Sequence, residues 1–343
     1  MKAFEYATPK SKEQAVGLLA PNWGQSELLA GGTDLLALMK DDVVTPKRLV
    51  NVKSIAGLDG VSYHARTGLR IGALVRIADF ADNADVRKNY PILARVADDA
   101  ASPQIRNQAT MGGNLCQRPR CWYFRNGFGL LAQQSGKSLV LEGDNRYHAI
   151  LGNDGPAYFV SPSSIAPALI AAGARIRIFG PNGQRELPLE KFYVIPKSEN
   201  EREHDLRPNE MVTEIMVPPP PVTVTVTDPA TKLNPHYGGN YGHYEVRQKA
   251  AFDWPLATAS VALIMPGGGQ VRGSRIVLGH VAPVPWRSKE AEEAILNRPI
   301  NETTADAAGK AAVANARSLG KNAYKIHLAH VAVKRAILQA AKI

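Results

Sequence analysis

The sequence predicts an α+β protein of two or three domains, and three observations carry that prediction. Strand-like and helix-like stretches alternate through the first half, the run Pro218–Pro221 interrupts the chain, and residues 244–343 read as strands followed by helices. At 343 residues the chain has room for a sizeable core.

The elements follow in order. "FEYATP" opens extended, "SKEQAVGLLA" has helical spacing, "SELLAGGTDLLALMK" reads as strand, glycine-rich turn and helix, and "RLVNVK" as a short strand, so that residues 1–56 form a βαβ-like unit. In 57–217, "GLRIGAL" is strand-like, "VRIADFADNADVRKNYPILARVADDAA" has helical spacing, and "RIRIF" alternates as a half-buried strand does. Consecutive prolines after Val217 can continue neither a helix nor a central strand, so 218–243 is expected to be a connector. In 244–343, "ATASVALIM" and "SRIVLGHVAPVPWR" are expected strands around a turn at Gly267–Gln270. Two helices separated by Gly320 follow, the second carrying Ile326, Ala329, Val333, Ile337 and Ala340 on one face.

Composition narrows the function. Hydrophobic residues make up 45% and charged residues 21%, with no apolar run near the roughly 20 residues of a membrane span. The net charge is +10, and residues 301–343 hold seven Lys/Arg against Glu302 and Asp306. Those charges are spaced along helix-patterned sequence without interleaved aromatics, so they read as a solvated face or a protein-contacting surface, not a nucleic-acid footprint. The start, "MKAFEYATPKSKEQAV", has no apolar core; a cytoplasmic protein is expected, with export beside a signal-bearing partner as the alternative. Two cysteines, Cys116 and Cys121, cannot make a disulfide framework or a four-cysteine metal site. No metal ligands and no catalytic acid or base are assigned. His148, Tyr123, His243, Tyr244 and Trp254 read as structural, because no ligand spacing surrounds them.

Two turns carry the chemistry. In "LLAGGTDLL" the small residues from Ala30 to Gly32 lead through Thr33 and Asp34 into a helix, which suits either a tight strand-to-helix turn or an anion-binding nest of backbone N–H groups. "ASPQIRNQATMGGNL" repeats the theme, with Thr110 before Gly112 and Gly113 and the amide of Asn114 after them. Two such turns in one half of a chain suit a dinucleotide, whose diphosphate spans more than one loop covers, or are two unrelated tight turns.

These two segments, with "LRIGALVRIADFA", "CQRPRCWYFR", "NRYHAILG" and "YEVRQKAAFDWPLATASVALIM…GHVAPVPWR", resemble in order the FAD-binding medium subunit of the molybdenum hydroxylases, in particular that of the periplasmic aldehyde oxidoreductase type. The resemblance implies a vanillyl-alcohol-oxidase (PCMH)-type FAD-binding fold in two subdomains, then a ferredoxin-like C-terminal α+β domain. It implies FAD contacts at Leu28, Leu29, Ala30, Gly31, Gly32, Thr33, Asp34, Leu35 and Leu36, at Thr110, Gly113 and Asn114, and at Ser164, Val212 and Glu245. It also implies an oxidoreductase subunit whose partners are a large subunit with the molybdenum cofactor and a small one with two [2Fe–2S] centres. Electrons would pass to NAD, O2 or another acceptor.

The chain departs from this pattern in three places. An insertion occupies about 116–157; where relatives share it, four cysteines hold a [4Fe–4S] cluster, and here only Cys121 matches, the other positions falling at Ser138, Ala157 and near Leu130. No such cluster is expected in this chain. Ser164 stands where an acid is frequent, and Glu245 where a lysine beside the isoalloxazine is frequent; a carboxylate there would oppose reduction, with Arg247 or Lys249 able to supply the cation. A self-contained flavin oxidase and a structural subunit without FAD are the rival readings.

Overall fold

A computed structural model describes residues 1–220, 240–249, 252–266 and 269–343. The expected connector at 218–243 therefore lies largely outside the described residues, as do Gly267 and Gly268 of the expected turn.

The N-terminal unit is a three-stranded parallel sheet in the order Glu5–Ala7, Arg48–Asn51, Ser26–Leu29. Parallel neighbours need crossovers, and helices Lys12–Leu18 and Leu35–Lys40 provide them. Ser11 caps the first helix by accepting from the Gln14 amide.

The next layer is a five-stranded antiparallel sheet, in the order Val61–His64, Gly68–Gly72, Met211–Val217, Arg175–Gly180, Gly183–Pro188. Its strand Met211–Val217 slips register between Val212 and Glu214, a bulge that re-aims the side chains beside it. The long stretch of helical spacing is three helices, Ile77–Asp82, Ala84–Asn89 and Pro91–Asp99, broken where Asn83 caps the second and Pro91 opens the third. They bury Phe80, Tyr90 and Leu93 against Leu69 and Ile71 of the sheet, each such side chain worth about 2 kcal/mol of transfer free energy.

The third part is a four-stranded antiparallel sheet, Asn240–Val246, Ala257–Ile264, Gly273–Gly279 and Trp286–Arg287 in that order. Helices Lys289–Ile295, Glu302–Ala312 and Tyr324–Ala341 follow, and Ala329, Val333, Ile337 and Ala340 of the last are buried with Ala259, Val261 and Ile276 of the sheet. The helix Lys289–Ile295 and the strands Val61–His64 and Gly183–Pro188 had no clear signal in the sequence. Among the described residues no helix is long and apolar enough to cross a membrane.

The insertion joins the parts. Its cluster-position counterparts Cys121, Leu130 and Ala157 come together in an apolar group with Leu38, Phe124 and Phe159. Ser138, the fourth, caps a short helix by accepting from the Leu141 amide. Toward the C-terminal part, Asn145 Nδ2 donates to the Leu319 carbonyl at 2.7 Å, and Asn322 Nδ2 to the carbonyls of His148 and Ala149. The buried Lys325 ammonium donates to the carbonyls of Tyr147, His148 and His280 at 2.7–3.2 Å.

Candidate functional site

The strand Ser26–Leu29 ends at the first turn, and successive side chains on a strand face opposite ways. Leu28 accordingly lines a cavity of about 490 Å³, while Leu29 is buried with Met39 and Leu49. That pleat takes Leu29 of "LLAGGTDLL" off the cavity wall. Leu36 is 37% exposed on the helix that follows and does not line the cavity, while its neighbour Leu35 does. Ala30, Gly31, Gly32, Thr33 and Asp34 line it too, with Thr110, Gly113, Asn114, Ser164 and Val212.

The two turns differ in what their backbones offer. The amides of residues 31–35 donate to no acceptor among the described residues, whereas Met111, Gly112, Gly113 and Asn114 donate to Val75 O, Ala73 O, Thr110 Oγ1 and Thr110 O at 2.8–3.1 Å. The first turn is therefore an open row of donors, and the second, expected to contribute its Gly113 N–H, is closed upon itself. From the second turn the free groups are side-chain ones: Asn114 uses Oδ1 to accept from Ser163 Oγ at 2.6 Å, leaving Nδ2.

The glycines themselves serve packing. A Cβ on Gly31 would overlap the carbonyl oxygen of Gln108, so the two turns touch backbone to backbone. Gly32 has φ +74°, a conformation that favours glycine. Gly113 would meet only Thr110 Oγ1, at 2.8 Å.

Asp34 begins the helix yet caps nothing in it. Its carboxylate accepts from the Arg118 amide at 2.8 Å and from Arg125 at 2.7 Å, and pairs with Arg120 at 3.2 Å. All three arginines belong to the insertion, which thus grips the first turn. The Arg120 guanidinium lies 4.5 Å from the centre of the Trp254 ring, and its buried Nε has no hydrogen-bond partner among the described residues. Trp254 and Phe252 are exposed at the cavity edge, so Trp254 belongs to the site where the sequence suggested a core or interface role.

Glu245 does not line the cavity among the described residues. Although burial pushes its carboxyl up, hydrogen bonding from His243 and the cations of His243 and Arg247 hold it below the ordinary range. His243 Nε2 lies 3.1 Å from one carboxylate oxygen, and Arg247 pairs with the other. Arg247 is thus engaged by the carboxylate it was expected to offset.

Sequence reasoning did not find several lining residues: Glu27, Cys116, Arg118, Arg202 and His204. Burial pushes the Cys116 thiol up to about 12, so it stays protonated. Cys121 faces His148 Nε2 at 3.2 Å, and burial pushes that histidine down to about 4. A carboxyl on an otherwise apolar strand, Glu27 in "SELL", was the one local signal that could have been read.

Comparison with known proteins follows the same division. Residues 2–220 match the family described as the FAD binding domain in molybdopterin dehydrogenase, and 242–340 the CO dehydrogenase flavoprotein C-terminal domain. The chain is 34% identical over 336 residues to the aldehyde oxidoreductase FAD-binding subunit PaoB of Escherichia coli, covering 96% of this chain and 95% of that one. It is 30% identical to the carbon monoxide dehydrogenase medium chain of Hydrogenophaga pseudoflava, over 97% of this chain and 96% of the relative. Among solved structures, carbon monoxide dehydrogenase from Hydrogenophaga pseudoflava superposes with a TM-score of 0.73 at 28% identity, covering 99% of this chain and 97% of that one. The expected α+β architecture, an FAD-binding part followed by a C-terminal domain, is borne out.

Proposed function

This chain belongs to the FAD-binding subunits of the molybdenum hydroxylases, and on that premise we propose that it takes electrons from the iron–sulfur centres of a small partner subunit and passes them to NAD, O2 or another acceptor. The substrate is oxidised on a large partner subunit with a molybdenum cofactor. Relatives named as a subunit and a medium chain support a multi-subunit assembly.

The observation that carries the reading is the row of open amides from 31 to 35 along the cavity wall. It fits a diphosphate: five donors in sequence, no side chain at Gly31 or Gly32 in the way, and a buried unpartnered Arg120 Nε nearby. When bound, FAD supplies the two-electron chemistry. The chain's own residues hold it: Thr33 adds a hydroxyl, Asn114 an amide, and Leu28, Val212 and Ser164 wall the cavity. Asp34 fixes Arg120 and Arg125 in place and does not itself donate.

The full chain, purified and titrated with FAD, is expected to bind it tightly and show flavin absorption. A colourless chain that takes up no FAD overturns the reading. A yellow chain reduced directly by a simple alcohol or amine would favour a self-contained oxidase.

A further inference from the structure

Four carboxylates line the cavity among the described residues: Glu27, Asp34, Glu210 and Asp253. Three are saturated. Asp34 has its arginines; Glu210 accepts from Arg185 at 2.9 and 2.7 Å and from the Arg207 amide at 2.9 Å. Asp253 accepts from the amides of Gln248, Lys249 and Trp254 at 3.0–3.1 Å. Glu27 has one distant contact, Arg202 at 3.4 Å, and that guanidinium rests 4.3 Å from the centre of the Trp23 ring.

The surroundings leave room for a proton. Near Glu27, the buried Glu203 accepts from Arg118 through Oε1, while its Oε2 has no partner among the described residues. Burial pushes the Glu27 carboxyl up to about 7; the Arg118 cation works against that shift and the Glu203 carboxylate adds to it. His204, on the same loop as Arg202 and Glu203, is pushed below its ordinary range, chiefly by burial.

Resting on the reading that the cavity holds FAD, we propose that Glu27 is the carboxyl that takes up a proton when electrons enter this cavity and releases it when they leave. The step balances. Two electrons, delivered one at a time by an iron–sulfur carrier, and one proton from solvent leave the reduced isoalloxazine with one negative charge. A second solvent proton adds to the Glu27 carboxylate and offsets that charge; when the two electrons leave, the flavin's proton goes with them as hydride or follows them to the acceptor or solvent, and Glu27 gives up its own. Across about 10 Å at an effective dielectric of about 20, one added negative charge raises a carboxyl's proton affinity about tenfold. Only an unsaturated carboxylate can respond, because in the other three the bound donors would be displaced.

The test is the flavin midpoint potential of the FAD-loaded full chain, measured by equilibrium dye titration across pH. In the window just above pH 7 the native protein is expected to take up about half a proton more per two electrons than Glu27→Gln, the most that a tenfold change in affinity yields. Arg202→Gln removes the nearest cation and should move that window upward. Equal proton counts in the native chain and Glu27→Gln would overturn the role of Glu27 while leaving the FAD reading intact. Should Glu27→Gln lose its fold, an unmoved window in Arg202→Gln overturns it instead. Failure of the native chain to bind FAD removes both.

Discussion

The two glycine turns look alike in sequence and do opposite things in the fold. At the first, the amides of residues 31–35, which line the cavity, have no partner among the described residues; at the second, four consecutive amides are taken by Val75, Ala73 and Thr110. The difference teaches that a glycine pair marks close backbone approach, and that which side of the approach stays open depends on what the neighbouring strand accepts. Here the second turn is a brace, packed on the sheet, and the first is a donor row pressed against that brace through Gly31 and Gln108.

The sharpest way to break this contrast is to add one methyl group to each turn. Gly31→Ala must force two backbones apart and is expected to cost about 3 kcal/mol and most of the bound FAD. Gly113→Ala disturbs only the Thr110 cap and should cost about 1 kcal/mol or less. Denaturant melts with parallel FAD titrations measure both; equal costs would mean that the turns are not packed as described. Asp34→Ala comes next. It leaves Arg125 and Arg120, partly buried, without their carboxylate, and about 2 kcal/mol of destabilisation is expected, with faster proteolysis of the insertion. An unchanged digestion pattern would show that the insertion does not depend on the first turn.

The gentlest handle is pH. Because the Glu27 carboxyl titrates near 7 in the fold and lower in the open chain, the folded state binds the extra proton between about 4.5 and 7. Its contribution to stability is full below that window and is lost as the pH rises through it. Melting temperatures of the native chain and Glu27→Gln should therefore diverge across that window, and parallel curves would refute the assignment.

Much of the fold was legible because local patterns suffice for it. The parallel unit, the glycine turn and the packed face of Tyr324–Ala341 follow from periodicity and turn chemistry. What escaped was set by distant partners. Arg118 and Arg125 reach Asp34 across 84 and 91 positions, and no spacing rule announces such a pairing. Leu29 and Leu36 do not line the cavity with the rest of their motif, because a strand alternates its faces and the helix that follows turns its own. The contacts of Glu245 with His243 and Arg247, two residues away on either side, were not read from the sequence either.

The Lys325 socket has a consequence for how the protein is made. The carbonyls of Tyr147 and His148 wait for an ammonium 178 and 177 positions further along, and Asn145 for a carbonyl 174 positions away. On the ribosome that stretch of the insertion emerges long before its partners exist. Contacts of such separation form late and slowly, so the grip on the first turn can be in place early while the far side of the insertion docks only after Tyr324–Ala341 has been synthesised. Nascent chains halted before residue 317 should expose the insertion to chaperones, and chains released from the ribosome should not.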